Sequence, residues 1–131
     1  MHSLVLLYER ILYFPVADSN FVLGNAQVPS LHPIVYCSDG FCELTGFPRA
    51  QIMQKGCACK FLYGPETGED KKALIEKSLE SRTELKTEVK LYKKNGKLVP
   101  KVLLNTFLIH SYIVDIIGIH FVGSTGIKSK A

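Results

Sequence analysis

A chain of 131 residues, 47% hydrophobic and 21% charged, has the size and balance of one globular domain with a moderate core, and its composition is neither disordered nor fibrous. The net charge of +4 comes from lysines scattered along a helix and a strand face without interleaved aromatics, which is not the pattern of a nucleic-acid surface. No stretch reaches the roughly 20 apolar residues that cross a bilayer: Leu4–Phe14 is broken by Glu9-Arg10, and Ile113–Val122 by Asp115 and His120.

The elements follow in chain order. Leu4, Leu7, Tyr8, Ile11 and Leu12 recur at helical spacing and predict a short amphipathic helix. Charge inside that apolar run, with no basic region before it, does not read as a secretion signal. Ile34-Val35-Tyr36, β-branched and aromatic, predicts a strand. Ser38 or Asp39 then caps a helical turn, Gly46 ends it, and Pro48 suits the first position of the next helix, where its missing N–H is harmless.

Thr67 with Asp70 three positions on predicts a helix N-cap. The helix runs to about Ser81, with Ala73, Leu74, Ile75 and Leu79 as its inner stripe. Leu85, Thr87, Val89 and Leu91 alternate with polar residues, the period of a half-buried strand, and Asn95-Gly96 marks a hairpin turn. The apolar runs Val102–Ile109 and Ile113–Val122 complete an antiparallel sheet, with Pro100 confined to a strand start or an edge. With no repeat and no linker, the pattern is a single α+β domain.

Conventional chemistry finds little support. The cysteines fall as Cys37-x4-Cys42 and Cys57-x-Cys59, without the C-x2-C pairing of zinc sites, so no metal is expected. Reduced thiols are expected, with Cys37 and Cys42 acting as small hydrophobes. His2, His32, His110 and His120 stand in no nucleophile motif. Glu66, Glu69 and Asp70 read as helix-start charges, and the isolated Gly24 and Gly64 make no phosphate-cradling loop. The residues predict no catalytic site.

One block carries a family resemblance. Val35-Tyr36-Cys37-Ser38-Asp39-Gly40-Phe41 followed by Leu44-Thr45-Gly46-Phe47 resembles the opening of a PAS domain. With Asn25-Ala26-Gln27, Ile52-Met53-Gln54-Lys55 and Cys57-Ala58-Cys59-Lys60-Phe61-Leu62-Tyr63-Gly64-Pro65, it is similar to the N-terminal cytoplasmic PAS (eag) domain of ether-à-go-go type voltage-gated potassium channels, the Elk branch first and the Erg branch next. The similarity is dense from about Asn20 to Gly96. Beyond it, Lys97-Leu98-Val99-Pro100-Lys101 and Ile109-His110-Ser111-Tyr112 replace the family's Pro-Phe-Trp-Cys type strand opening and Pro-Ile-Lys-Asn turn, and Met1–Val16 does not match the family's N-terminal cap.

The resemblance implies a PAS fold, a five-stranded antiparallel sheet with short helices packed on one face. It also implies a division into a cap-like segment (1–19), the PAS domain (20–126) and a tail (127–131). It places the domain on the cytoplasmic side of the plasma membrane as part of a channel, without membrane insertion or cofactor of its own. Its partners would be the C-terminal cyclic-nucleotide-binding homology domain and other cytoplasmic parts of the same tetramer, contacted to regulate gating. Phe21, Val35, Tyr36 and Met53 match positions of the family's exposed hydrophobic patch. Val35 and Tyr36 point to opposite faces of a strand, so Phe21 and Tyr36 stand out as contact residues.

A second branch of the superfamily offers an alternative. LOV domains bind flavin and form a photo-adduct with the cysteine of an Asn-Cys-Arg-Phe-Leu-Gln type motif. Cys59-Lys60-Phe61-Leu62-Tyr63 resembles that motif at the cysteine, the basic residue, Phe and Leu, but Ala58 and Tyr63 replace its two amides. Asn105 is the one amide on a candidate strand, and a flavin edge without amide partners leaves costly unsatisfied polar groups.

Overall fold

The computed structural model describes residues 20–110 and 115–123. The first strand, β1 (Phe21–Asn25), and β2 (Ile34–Cys37) are joined by a loop. Two short helices follow, α1 (Asp39–Thr45) and α2 (Arg49–Ile52), then a 3-10 turn at Lys60–Leu62. The long helix α3 (Glu69–Ser81) leads into β3 (Lys86–Tyr92), β4 (Leu98–Ile109) and β5 (Ile116–Gly123). The five strands form one antiparallel sheet in the order β2-β1-β5-β4-β3, so the strands from the two ends of the chain lie side by side.

Local chemistry accounts for the short elements. Ser38 is extended (φ −76°, ψ 159°), and its Oγ accepts from the Phe41 N–H at 3.2 Å, which starts α1. Gly46 closes α1 in the left-handed conformation at φ 78°, which an L side chain resists. Pro48 stands one position earlier than the sequence implied, as the N-cap of α2. At the β3–β4 hairpin Gly96 takes φ 87°, and Lys93 N–H donates to Lys97 C=O at 2.9 Å.

Two expectations fail. Thr67 does not cap α3: the N-cap is Gly68, with no side-chain bond. The Thr67 hydroxyl instead donates to Lys90 C=O (2.7 Å) and accepts from Gly64 N–H (3.0 Å), tying the approach to α3 onto β3. Nor do Ala73 and Leu74 belong to the inner stripe. Both are exposed, and α3 buries Ile75, Ser78 and Leu79. One helix lying across a sheet covers only a narrow strip, and Ser78 takes part in it because its hydroxyl finds the Thr83 carbonyl at 2.6 Å.

Pro100 lies in the third position of β4, where the β3–β4 register shifts between Val89 and Leu91. The β4–β5 pairing begins only at Val102, so the missing proline N–H falls where the ladder is already interrupted. The predicted amphipathic helix at Leu4–Leu12, the 127–131 tail and the Ser111-Tyr112 half of the Ile109-His110-Ser111-Tyr112 connection lie outside the described residues.

The core sits between the sheet and the described helices. Val22, Val102, Leu104, Ile119 and Phe121 meet Phe41, Ile52, Leu62, Ile75 and Leu79 there, all nearly inaccessible. Arg82, just past α3, pins this assembly laterally: one guanidinium nitrogen pairs with Asp115 (3.0 Å) and the other donates to the Ala26 carbonyl (2.9 Å).

Candidate functional site

The cleft between sheet and helices is where a domain of this shape would hold a small ligand, and here it is filled. Phe41, Leu62, Leu91, Val102 and Phe121 enclose a space of about 10 Å³, room for one water at most. Phe41 and Phe121 occupy its centre, their rings 5.0 Å apart. An isoalloxazine would have to displace several of these side chains.

Cys59 faces this packed interior. It is left-handed (φ 56°), 1% exposed, and stands at the head of the Lys60–Leu62 turn. Burial, with smaller contributions from Cys57 and Cys37, pushes its thiol well above its ordinary 9.0, so it is a packed thiol, not a nucleophile. The two residues that break the flavin motif bond to each other: the Tyr63 hydroxyl donates to the Ala58 carbonyl at 3.3 Å. Asn105 pairs with His120 on β5 and Lys86 on β3. It sits between Leu104 and Thr106, which face the core, and so lies on the opposite side of the sheet from the cleft. The residues present do not fit a flavin.

The candidate contact residues gather around β1 and β2. Leu23 pairs with Tyr36, so Phe21, Leu23 and Tyr36 share the sheet face turned away from the helices. The Phe21 and Tyr36 rings lie 5.6 Å apart. Phe21 departs from the expectation of an exposed patch, because its side chain is 0% exposed. It belongs to a strand buried on both sides, in which Phe21, Val22 and Leu23 are all inaccessible. Val35, Tyr36 and Met53 are half-buried and present part of their surface to solvent.

The turn after α2 brings Met53 to this neighbourhood. Ile34 N–H donates to Lys55 C=O (2.8 Å), and Gln54 N–H donates to Ile34 C=O (3.2 Å). These bonds lay residues 54–55 along the outer edge of β2, while the Arg49 guanidinium holds the Cys37 carbonyl at 3.1 Å. The edge strand is thereby protected from pairing with another chain, and its apolar side chains remain on view.

A further apolar pair escaped the sequence reading. Leu103 on β4 and Val122 on β5 are cross-strand partners on the same outer face, 37% and 46% exposed. Both lie in runs that are apolar at nearly every position, where alternation cannot single out a face. Such a run is itself a sign that both sides of the sheet carry apolar residues.

At the other end of the β1–β2 loop, His32 is 5% exposed in a left-handed turn (φ 47°). Burial first, then the positive charge of Arg82, pushes its imidazole below 6.5. The carboxylate of Glu80, which lines the same open pocket as His32 and Arg82, works in the opposite direction. Among the described residues no group of three His, Cys, Asp or Glu side chains is arranged to hold a metal, and no helix is long and apolar enough to cross a membrane.

Comparison with known proteins matches this geometry. A family profile described as the PAS domain covers residues 20–125. The crystal structure of the PAS domain from the fruit-fly ELK potassium channel superposes with a TM-score of 0.81 at 48% identity, covering 92% of this chain and 98% of that one. Over 83 residues, 63% of the chain, the sequence is 60% identical to the human voltage-gated inwardly rectifying potassium channel KCNH3 and 61% identical to the human voltage-gated delayed rectifier potassium channel KCNH8. The chain spans 8% of the length of these two relatives. A light-oxygen-voltage domain studied with a flavin analogue aligns less well, with a TM-score of 0.73 at 27% identity over 92% of this chain and 87% of that one.

Proposed function

Because the chain belongs to the PAS domain family, in the branch found in the ether-à-go-go (KCNH) potassium channels, we propose that it is a regulatory domain of such a channel and works by protein contact rather than by ligand chemistry. The proposed partner is the channel's C-terminal cyclic-nucleotide-binding homology domain, together with other cytoplasmic parts of the same tetramer, on the inner side of the plasma membrane. The observation that carries this reading is the filled interior: with about 10 Å³ in the cleft, recognition falls to the outside. There Val35, Tyr36 and Met53 keep apolar surface exposed beside a protected strand edge.

The mechanism needs no reaction. A domain that docks on one channel conformation more favourably than on another shifts the balance between them, and a difference of about 1.4 kcal/mol changes the ratio tenfold. Tyr36 is the residue on which the contact turns, since it joins a buried neighbour, Phe21, to a partly exposed ring. Phe21 acts from beneath by holding that ring in place. In a binding assay against the C-terminal domain, Tyr36→Ala and Met53→Ala are expected to weaken association at least tenfold. Unchanged affinity in both variants, with the fold intact by circular dichroism, would remove this surface from consideration.

A further inference from the structure

We propose that Cys37 and Cys42 form a redox-sensitive dithiol that peroxide closes into an intrachain disulfide. The two sulfurs already lie 3.8 Å apart, and both thiols are free. The contact follows from the local fold. Cys37 ends β2 with its side chain in the core, and Ser38 turns the chain directly into α1. Cys42 N–H donates to the Ser38 carbonyl at 3.2 Å, so the second turn of α1 returns over the end of the strand. A disulfide requires an S–S distance of about 2 Å, so the two side chains have to close the remaining gap as the bond forms.

The two cysteines differ in the way the chemistry requires. Cys42 is partly exposed, whereas Cys37 is 0% exposed. Burial, reinforced by Cys42, pushes the Cys37 thiol up to about 11, while the nearby Arg49 guanidinium works in the opposite direction. Cys42 is therefore the first to react. Its thiolate attacks one peroxide oxygen, the O–O bond breaks, and the sulfur becomes a sulfenic acid as hydroxide leaves and is protonated to water. The Cys37 thiolate then attacks the Cys42 sulfur, the S–S bond forms, and the sulfenic oxygen departs as a second water. Two thiols and one peroxide give one disulfide and two waters.

Cys57 and Cys59 are set apart from this pair. They are 0% and 1% exposed, and burial holds the Cys57 thiol at about 12 and raises that of Cys59 as well. The bridge would staple the end of β2 to α1. Its formation does not depend on the contact-face reading, and binding need not be measured to test it.

The experiment uses the 131-residue protein with hydrogen peroxide, followed by alkylation of the remaining thiols. Asp39 is the one aspartate between the two cysteines, so an endoproteinase that cuts before aspartate separates them unless they are bridged. Expected are two peptides joined through Cys37 and Cys42 and parted by dithiothreitol, with the thiol titre of the denatured protein falling from four to two. Cys42→Ser, at a partly exposed position, should keep all its remaining thiols under the same treatment. Sulfinic acid on an unbridged Cys42, or an equal loss of thiols in Cys42→Ser, would overturn the proposal. Cys37→Ala should stop at the sulfenic acid, and if it does not fold, the peptide map and Cys42→Ser decide alone.

Discussion

Replacing Thr106 by valine tests whether one hydroxyl fastens α3 and the start of β3 to the sheet. Thr106 is 4% exposed on the core side of β4. Its Oγ1 accepts from Leu85 N–H at 2.7 Å and lies 3.3 Å from the Ser78 hydroxyl, and Ser78 in turn donates to the Thr83 carbonyl at 2.6 Å. Valine keeps the shape and removes the acceptor, leaving the Leu85 amide unpaired in a part-buried position, a loss of about 1–3 kcal/mol. The added methyl recovers little, because the cluster around it is polar. For a chain of this size a loss of 1 kcal/mol lowers Tm by roughly 3–5 °C, so the variant should melt about 3–15 °C below the parent. Urea unfolding followed by circular dichroism gives the free energy directly. Thr106→Ser, which keeps the hydroxyl and drops a methyl, should fall less. A valine variant as stable as the parent, paired with a less stable serine variant, would refute the reasoning and assign the residue's role to its methyl group.

Gly64→Ala should destabilise the fold by about 1–3 kcal/mol, as overpacking does, because a Cβ there would stand 2.3 Å from the Tyr92 ring; in a Tyr92→Ala background, chemical denaturation should show almost no further loss. Stability should also depend on pH through His32. Its folded pKa lies below 6.5, so on the acid side the unfolded chain holds more protons and folding stability rises with pH, levelling off above about 6.5. His32→Asn, a residue that tolerates the left-handed backbone, should flatten that acid slope in urea titrations run from acid to neutral pH; an unchanged slope would show that His32 titrates alike in both states.

The parts of the fold legible in the sequence are those made by neighbours along the chain. The Ser38 cap, the Gly46 stop, the Asn95-Gly96 hairpin and the alternation through Thr87, Val89 and Leu91 each depend on contacts a few residues apart, and each stands where expected. The block from Val35 to Phe47 marks the family for the same reason, since a tight strand–cap–helix passage tolerates few alternatives. Thr67 shows the limit of that reasoning. Its spacing to Asp70 suits a cap, yet a stronger partner across space, the Lys90 carbonyl, claimed the hydroxyl.

What the sequence by itself determined, then, was the kind of domain and the punctuation of its elements. Tertiary structure decided which face each residue serves. Phe21, on the inner strand β1 and paired with His120 from the far end of the chain, is buried, whereas Leu103 and Val122 on the same outer face of the sheet are exposed. Asn105 lies away from the cleft because register, not composition, sets the side to which it points. Cys37 and Cys42, two small hydrophobes in the sequence, became sulfur neighbours once the chain turned at Ser38. Local hydrogen bonds write themselves into residue order, whereas burial and facing depend on pairings between distant segments.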